Sequence, residues 1–405
     1  MGCQAGCDPW RTTIRPPRPH VRTPQASVLA LWSCGMVLAR SCALTAVSHV
    51  WAQGLTRPEQ PVRQQRRDGD DEVPRTRGTN RPAWPVATCC PVWLSWVGRG
   101  WHGTQLARAL EAPALGPRVV GWALSVVDRG CALPGAWVVL PAKTQQAWRR
   151  AGRRLVRQLR PAIPRGGQVI VWTDRGVSAP WRLGRMVRLG WPPCVRLHTG
   201  GPCRPAGAPG FRPVHRGVPT PGTRWRGRGT ALQHAGRQVE GPLWAVWEDG
   251  DKAPWVILPD RPPEASAAAW DGRRAGIDPG VHSPTRAGWQ GPRTRLPEPE
   301  RAARLWVAVA VATGWWRRVG GDADETSPAS TRLDGTALGP GRPRTRRATR
   351  RRLVSGLRQG GVALFVAVRR QAPLREGRLG PEPWPAVPPW AEVTCEPQLA
   401  LPEAA

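Results

Sequence analysis

The stretch Gln168–Val177, QVIVWTDRGV, decides how the rest of the chain is read. Four apolar residues, Val169 to Trp172, run into Thr173, Asp174, Arg175 and Gly176. A short apolar run closed by a turn signal is the pattern of a buried strand. This one stops at a carboxylate. An Asp there has two readings. It is a common turn and helix-capping residue, and a helical pattern follows at 180–190. It is also placed where α/β proteins set their ligands, outside the carboxyl end of a sheet strand.

Outward from this strand the pattern is regular. RVVGWALSVV (118–127) and CALPGAWVVLP (131–141) predict two paired strands. Lys143–Arg160 predicts an amphipathic helix, because Ala147, Ala151, Leu155 and Leu159 recur every four residues and the opposite face is arginine. A short helix at 180–190 and a strand CVRLH (194–198) follow, and a further strand is expected before residue 118. Strands alternating with helices give a mixed α/β core.

On either side the rhythm changes. Residues 1–25 are Pro- and Arg-rich and read as a disordered N-terminus. Residues 26–101 read as a helical N-terminal region interrupted by a charged linker at 57–82, with a helix over 26–56 and an apolar, Trp-rich stretch up to Trp101. Residues 199–240 are rich in Gly, Pro and Arg and read as loops and short strands. AVWEDGDKAPWVILP (245–259) is a hairpin pattern with its turn at Asp249-Gly250. Helical patterns return at 264–275 and 298–316. From 321 to 405 the chain reads as a basic, Pro-rich tail containing GRPRTRRATRRR (341–352) and an apolar piece at 361–368.

The formal charge is +32, from 60 Lys and Arg against 28 Asp and Glu. Such an excess points to a polyanionic partner, most simply double-stranded DNA. The cations are nearly all arginine: Lys143 and Lys252 are the only lysines, Tyr is absent, and Asn80 is the only asparagine. Residues with AT-rich codons are scarce, so part of the arginine excess reflects the base composition of the gene. The ten cysteines form no C-x-x-C pair, and no His or Cys cluster has zinc spacing. They read as thiols in a reducing compartment, so the cytoplasm is expected. The apolar runs Val28–Ala39 and Leu305–Ala312 fall short of the roughly 20 residues of a membrane span, so no membrane partner is expected.

Several chemistries are excluded. Neither lysine follows a glycine, which rules out G-x-x-x-x-G-K-[ST]. There is no H-E-x-x-H and no G-x-S-x-G, and the seven histidines are isolated. Carboxylates on a mixed sheet in an arginine-rich chain remain. That is the composition of two-metal phosphoryl transfer, in which acids hold two divalent ions and arginines hold phosphates.

ALSVVDRGCALPGAWVVLPAKTQQAWRR, VIVWTDRGVSAPWRLGRMVRLGWPPCVRLHTGG and PGTRWRGRGTAL together resemble bacterial insertion-sequence transposases of the DDE type. The resemblance runs from about residue 26 to the C-terminus and is strongest over 119–200. It implies an α/β fold: an RNase H-like mixed sheet flanked by helices, with a β-rich insertion and a helical N-terminal region. On that pattern the core spans 102–198 and resumes over 261–320, and the insertion spans 199–260. The resemblance also implies two Mg²⁺ ions, double-stranded DNA of the element ends and of the target as partners, and a homodimer in the bacterial nucleoid.

The family's catalytic acids map residue by residue. The first Asp matches Glu111 in ALEAPALGPRVV, and the second matches Asp174. The third, a Glu in a Tyr-Arg-Glu-Lys signature, matches Asp278, with Asp271, Arg274 and Thr285 at the other signature positions. Glu111, Asp174 and Asp278 are thus the expected catalytic and metal-binding residues. Arg274, Arg175, Trp225 and Arg226 are the expected DNA contacts, Trp225 either as a base-stacking residue between arginines or, equally, as a packed hairpin residue. The departures have physical weight. Mg²⁺ demands near-octahedral geometry at about 2.0–2.1 Å, which a carboxylate moved by one methylene strains. Pro279 disfavours helical backbone at Asp278, and Gly272, Gly276 and Gly280 weaken the segment by roughly 1 kcal/mol each. The sequence therefore predicts a broken signature helix. A non-catalytic, basic DNA-binding remnant of a transposase is the alternative reading, and a poorly folded decay product a third.

Overall fold

The computed structural model describes residues 23–55, 86–99, 101, 105–112, 118–128, 131–142, 148–160, 163, 168–173, 180–191, 193–197, 202–234, 238–247, 253–259, 289, 298–326, 356–370, 372, 377 and 379. In chain order the elements are α1 (Thr23–Ala39), α2 (Leu44–Leu55), α3 (Val86–Arg99), β1 (Gln105–Glu111), β2 (Val119–Asp128), β3 (Cys131–Pro141), α4 (Trp148–Leu159), β4 (Gln168–Thr173), α5 (Pro180–Val187), β5 (Pro193–Arg196), β6 (Pro202–Pro205), β7 (Arg212–Pro213), β8 (Arg224–Ala231), β9 (Val239–Val246), β10 (Trp255–Pro259), α6 (Pro299–Thr326) and α7 (Gly356–Arg369). The fold is mixed α/β.

All ten strands join one sheet in the order β3-β2-β1-β4-β5-β10-β9-β8-β6-β7. The two apolar runs expected to pair do so: β2 lies antiparallel to β3 from Val119↔Pro141 to Asp128↔Cys131. Their ladder slips between Leu124 and Ser125, which pair with Ala136 and Pro134 and leave Gly135 as the extra residue. A Cβ at Gly135 would stand 2.8 Å from the Leu124 carbonyl oxygen, so the bulge requires glycine. β1 is antiparallel to β2 but parallel to β4, and β4 is parallel to β5. The stretch Val169–Trp172 is thus a central strand with parallel neighbours, and its apolar continuity is what burial on both faces requires.

Alternation along the strands sorts their side chains into two faces. Leu106, Leu110, Leu124, Val126, Val169 and Val171 enter the largest core, with α1, α3, α4 and α6. Ala107, Ala109, Ile170 and Trp172 point the other way, with Trp244 and Ile257 further along the sheet. Over the far half, Leu183 of α5 packs on Val195, Leu243, Ala245 and Val256.

Tryptophan N–H groups tie the layers together. Trp137 of β3 donates to the Ala303 carbonyl of α6 (2.9 Å), Trp93 of α3 to Pro134 (2.6 Å), and Trp289 to Thr313 Oγ1 (2.9 Å). A large apolar body with one donor suits such positions. From Ala302 to Ala312, α6 is buried almost all round, as a helix apolar on every side must be.

Some expectations change. Residues 26–56 form two helices, because Arg40 takes a left-handed φ of 48° and Ser41 N–H closes back on the Met36 carbonyl; the axes then diverge by 92°. Strands β6–β10 occupy the stretch expected to be β-rich, and they extend the same sheet through β5–β10 pairing. The hairpin β9–β10 forms, while Asp249-Gly250 lies outside the described residues. The helix expected over 298–316 continues to Thr326. The stretch read as tail contains α7, which packs along α6. The pattern at 264–275 lies outside the described residues. Among the described residues no single helix is long and apolar enough to cross a membrane.

Candidate site at the carboxyl ends of the parallel strands

β1 and β4 run parallel in register from Gln105↔Gln168 to Leu110↔Thr173. Glu111 closes β1, one residue past Leu110, and opposite it across the antiparallel side stands Ala123. Thr173 closes β4 and is fully buried. Asp174, Arg175, Arg274 and Asp278 lie outside the described residues. Among the described residues no group of three or more His, Cys, Asp or Glu is gathered as a metal site.

Trp225 and Arg226 are described, and they diverge. Trp225 is half-buried against the core formed by β5, β8, β9 and β10, with its ring over Gly227, where a Cβ would come within 2.8 Å of the indole. Arg226 points to the other face of β8, its guanidinium 5.4 Å from the Trp244 ring. Neighbouring strand residues point to opposite faces, so the two side chains expected to act together serve different surfaces.

Beside the strand ends, α4 and α5 enclose a cleft of about 410 Å³. Its floor is apolar: Leu110 from β1, Trp122 and Leu124 from β2, Leu155 and Val156 from α4, and Met186 and Trp191 from α5 and its exit. Four arginines line it as well, Arg149 and Arg153 from α4, Arg185 from α5 and Arg188 just beyond; all four are exposed. Leu110 lines the cleft one residue before the end of β1.

Two buried charges lie near by that sequence reasoning missed. Arg108 on β1 is 1% exposed and shares the core-facing side with Leu106 and Leu110. Among the described residues its Nε and NH1 have no hydrogen-bond partner, and burial drives its guanidinium's pKa down to about 10. Asp128, last in β2, is fully buried and ion-paired with Arg317 of α6 at 2.6 Å. The signal for Arg108 was present: in Leu106-Ala107-Arg108-Ala109-Leu110 it occupies an apolar phase of the alternation. Nothing local announces the partner of Asp128, which lies 189 residues away in a helix.

The sequence matches no family model and no curated protein.

Proposed function

We propose that the chain acts on DNA as a transposase of the DDE type, with β1–β5 serving as an RNase H-like catalytic core and β6–β10 as its inserted strands. The observation that carries this reading is the Leu110↔Thr173 register. Neighbouring strands lie about 4.8 Å apart, and paired catalytic ions about 3.5–4 Å apart. In the sequence Glu111 follows Leu110 and Asp174 follows Thr173, so this reading assigns its first two acids to the ends of adjacent parallel strands. Glu111, Asp174 and Asp278 are the residues that would hold two Mg²⁺ ions, which supply charge stabilisation at a phosphoryl centre and activation of the attacking oxygen. Arg149, Arg153, Arg185 and Arg188, beside that edge, would hold strand phosphates, with Arg175, Arg274 and Arg226 as further contacts along element and target DNA. A homodimer on paired ends belongs to the same reading.

A non-catalytic DNA-binding remnant is the second reading. It is favoured by the exposed arginines Arg149, Arg150, Arg153, Arg154 and Arg157 on α4, whose attraction to phosphate needs no metal.

The test is Mg²⁺- or Mn²⁺-dependent nicking of DNA carrying the element's terminal repeats, beside Asp174→Ala. Nicking that disappears in the variant supports the transposase. DNA held at moderate salt with no nicking leaves the remnant. Neither binding nor nicking sinks both.

A further inference from the structure

We propose that the exposed apolar stripe of α7 is the dock for this chain's own segment Pro381–Trp390, held in a polyproline II conformation with Trp384, Val387 and Trp390 against the helix. This does not rest on the transposase reading. Val362, Phe365 and Val366 are 47%, 43% and 37% exposed, and among the described residues Val187 is the only other large apolar side chain left so open. Single exposed apolar residues are ordinary, but these three share one helix face at i, i+3 and i+4. The face is fixed in place. Gly360, Gly361 and Leu364 bury the other side of α7, with both glycines against Trp316 of α6.

The chain brings the occupant to the site. Beyond α7 it is tied to α6 again at Gly377, whose carbonyl accepts from Arg318 Nε at 2.7 Å, and at Leu379, which is fully buried and bridges Trp101. A Cβ on Gly377 would strike the backbone of Arg318 and Val319, and one on Gly360 that of Trp316 and Gly320. Both glycines thus close on one turn of α6, so the chain sets out within about a helix diameter, 10–12 Å, of α7. At about 3.1 Å per residue, the five residues from Leu379 to Trp384 cover some 16 Å, and Trp384 to Trp390 covers about 19 Å. The 14 residues of α7 span about 21 Å. Pro381, Pro383, Pro385, Pro388 and Pro389 disfavour helix and favour polyproline II. Its three-residue turn sets Trp384, Val387 and Trp390 on one edge, and such segments dock on apolar surfaces with little loss of freedom. Charge agrees with this occupant. Residues 380–405 contain Glu382, Glu392, Glu396 and Glu403 and no lysine or arginine, in a chain of net charge +32. Glu392 follows the apolar edge, and the exposed Arg370 stands just past the end of α7. A second copy would bring arginine against arginine and bear the full entropy loss of association for three side chains. A tethered segment acts at an effective concentration on the order of millimolar.

The experiment places the photo-crosslinker benzoylphenylalanine at Ala363, half-buried at the rim of the stripe, in the full chain, and maps the products by mass spectrometry. Adducts to residues 381–392 of the same chain are expected as the main product. Trp384→Ser/Trp390→Ser should cut their yield at least tenfold, and so should Phe365→Ser/Val366→Ser. Val187→Ser, on the exposed apolar residue of α5, should change it less than twofold. Circular dichroism of each variant separates a lost dock from a lost fold, and Phe365→Ser/Val366→Ser alters exposed side chains while keeping the glycine contact with α6. Adducts that join two chains would assign the stripe to a second copy and overturn the proposal. Absence of adducts to 381–392, or a yield indifferent to the two tryptophans, overturns it as well. So does flotation of the full chain with phosphatidylglycerol vesicles that is lost on Phe365→Ser, which would assign the stripe to a lipid surface.

Discussion

Asp128 Oδ2 and Arg317 Nε stand 2.6 Å apart between the end of β2 and α6, with side chains 0% and 2% exposed. This pair joins the sheet to its main covering helix in the absence of bulk water. A buried pair contributes little over an apolar replacement, but removing one member leaves a charge without compensation. Asp128→Ala or Arg317→Met is therefore expected to destabilise the protein by about 3–5 kcal/mol. Asp128→Leu/Arg317→Met should recover most of that loss. Urea unfolding of the three variants measures it, and a double variant as unstable as the singles would show that the pair itself is required.

Arg108 is the opposite case, a buried cation whose Nε and NH1 lack partners among the described residues. Burial lowers its pKa from the ordinary arginine value to about 10. The unfolded chain therefore holds the proton more tightly. The penalty on folding is full below about pH 10 and eases as pH rises above it towards the ordinary arginine value. Arg108→Met should be more stable at pH 7 by up to about 3 kcal/mol, at about 1.4 kcal/mol per pKa unit. Its stability should lack the alkaline rise that Arg108 gives the parent. A variant less stable than the parent would refute this account.

Burial pushes the Cys90 and Cys131 thiols up to about 12, with Asp128 adding to the effect at Cys131 and Arg317 opposing it. The thiolate is the reactive form. Iodoacetamide at pH 8 should leave both unmodified in the native protein and modify both in urea, as read by mass spectrometry of peptides. Their folded values exceed the unfolded value of 9.0, so their contribution to stability is complete below about pH 9 and is lost as pH rises through about 12. This runs against the Arg108 effect, and the Arg108→Met background exposes it.

α7 meets α6 through glycine. A Cβ on Gly360 would collide with the Trp316 carbonyl oxygen and the Gly320 backbone, and one on Gly361 with the Trp316 indole. Gly361→Val should loosen this contact and destabilise the protein by about 1–3 kcal/mol, the usual cost of overpacking. Gly184→Ala on α5, where a Cβ meets nothing within 4 Å, is the matched control and should be neutral or stabilising. Hydrogen exchange at the α7 amides, faster in Gly361→Val alone, would locate the effect.

Local pattern sufficed for β2, β3, β4 and α4. Their apolar runs and four-residue spacing depend on a single face or a single strand, which a short window contains. It failed where the decisive partner is distant. The β5–β10 ladder pairs Val195 with Leu258, so nothing in 199–240 discloses that the later strands extend one sheet. The break at Arg40 depends on a single backbone angle. The apolar piece noticed at 361–368 lies within α7, and its glycines Gly360 and Gly361 are what lets that helix approach α6. At the site, the family resemblance put Glu111 on the first core strand, while Arg108 three residues earlier was passed over. Trp225 and Arg226 were grouped by adjacency, where period-2 geometry separates them.

The last strand of the sheet, β7, is Arg212–Pro213, and Pro213 pairs with Pro202 of β6. A ten-strand ribbon ending in a full-length strand would offer a row of N–H donors to any extended peptide. Here the final rung is two residues long, one without an N–H and the other carrying a guanidinium. Fibril growth by adding copies at this margin has no template, and the same tapering leaves β6–β7 the least cross-linked part of the sheet, where thermal fraying begins.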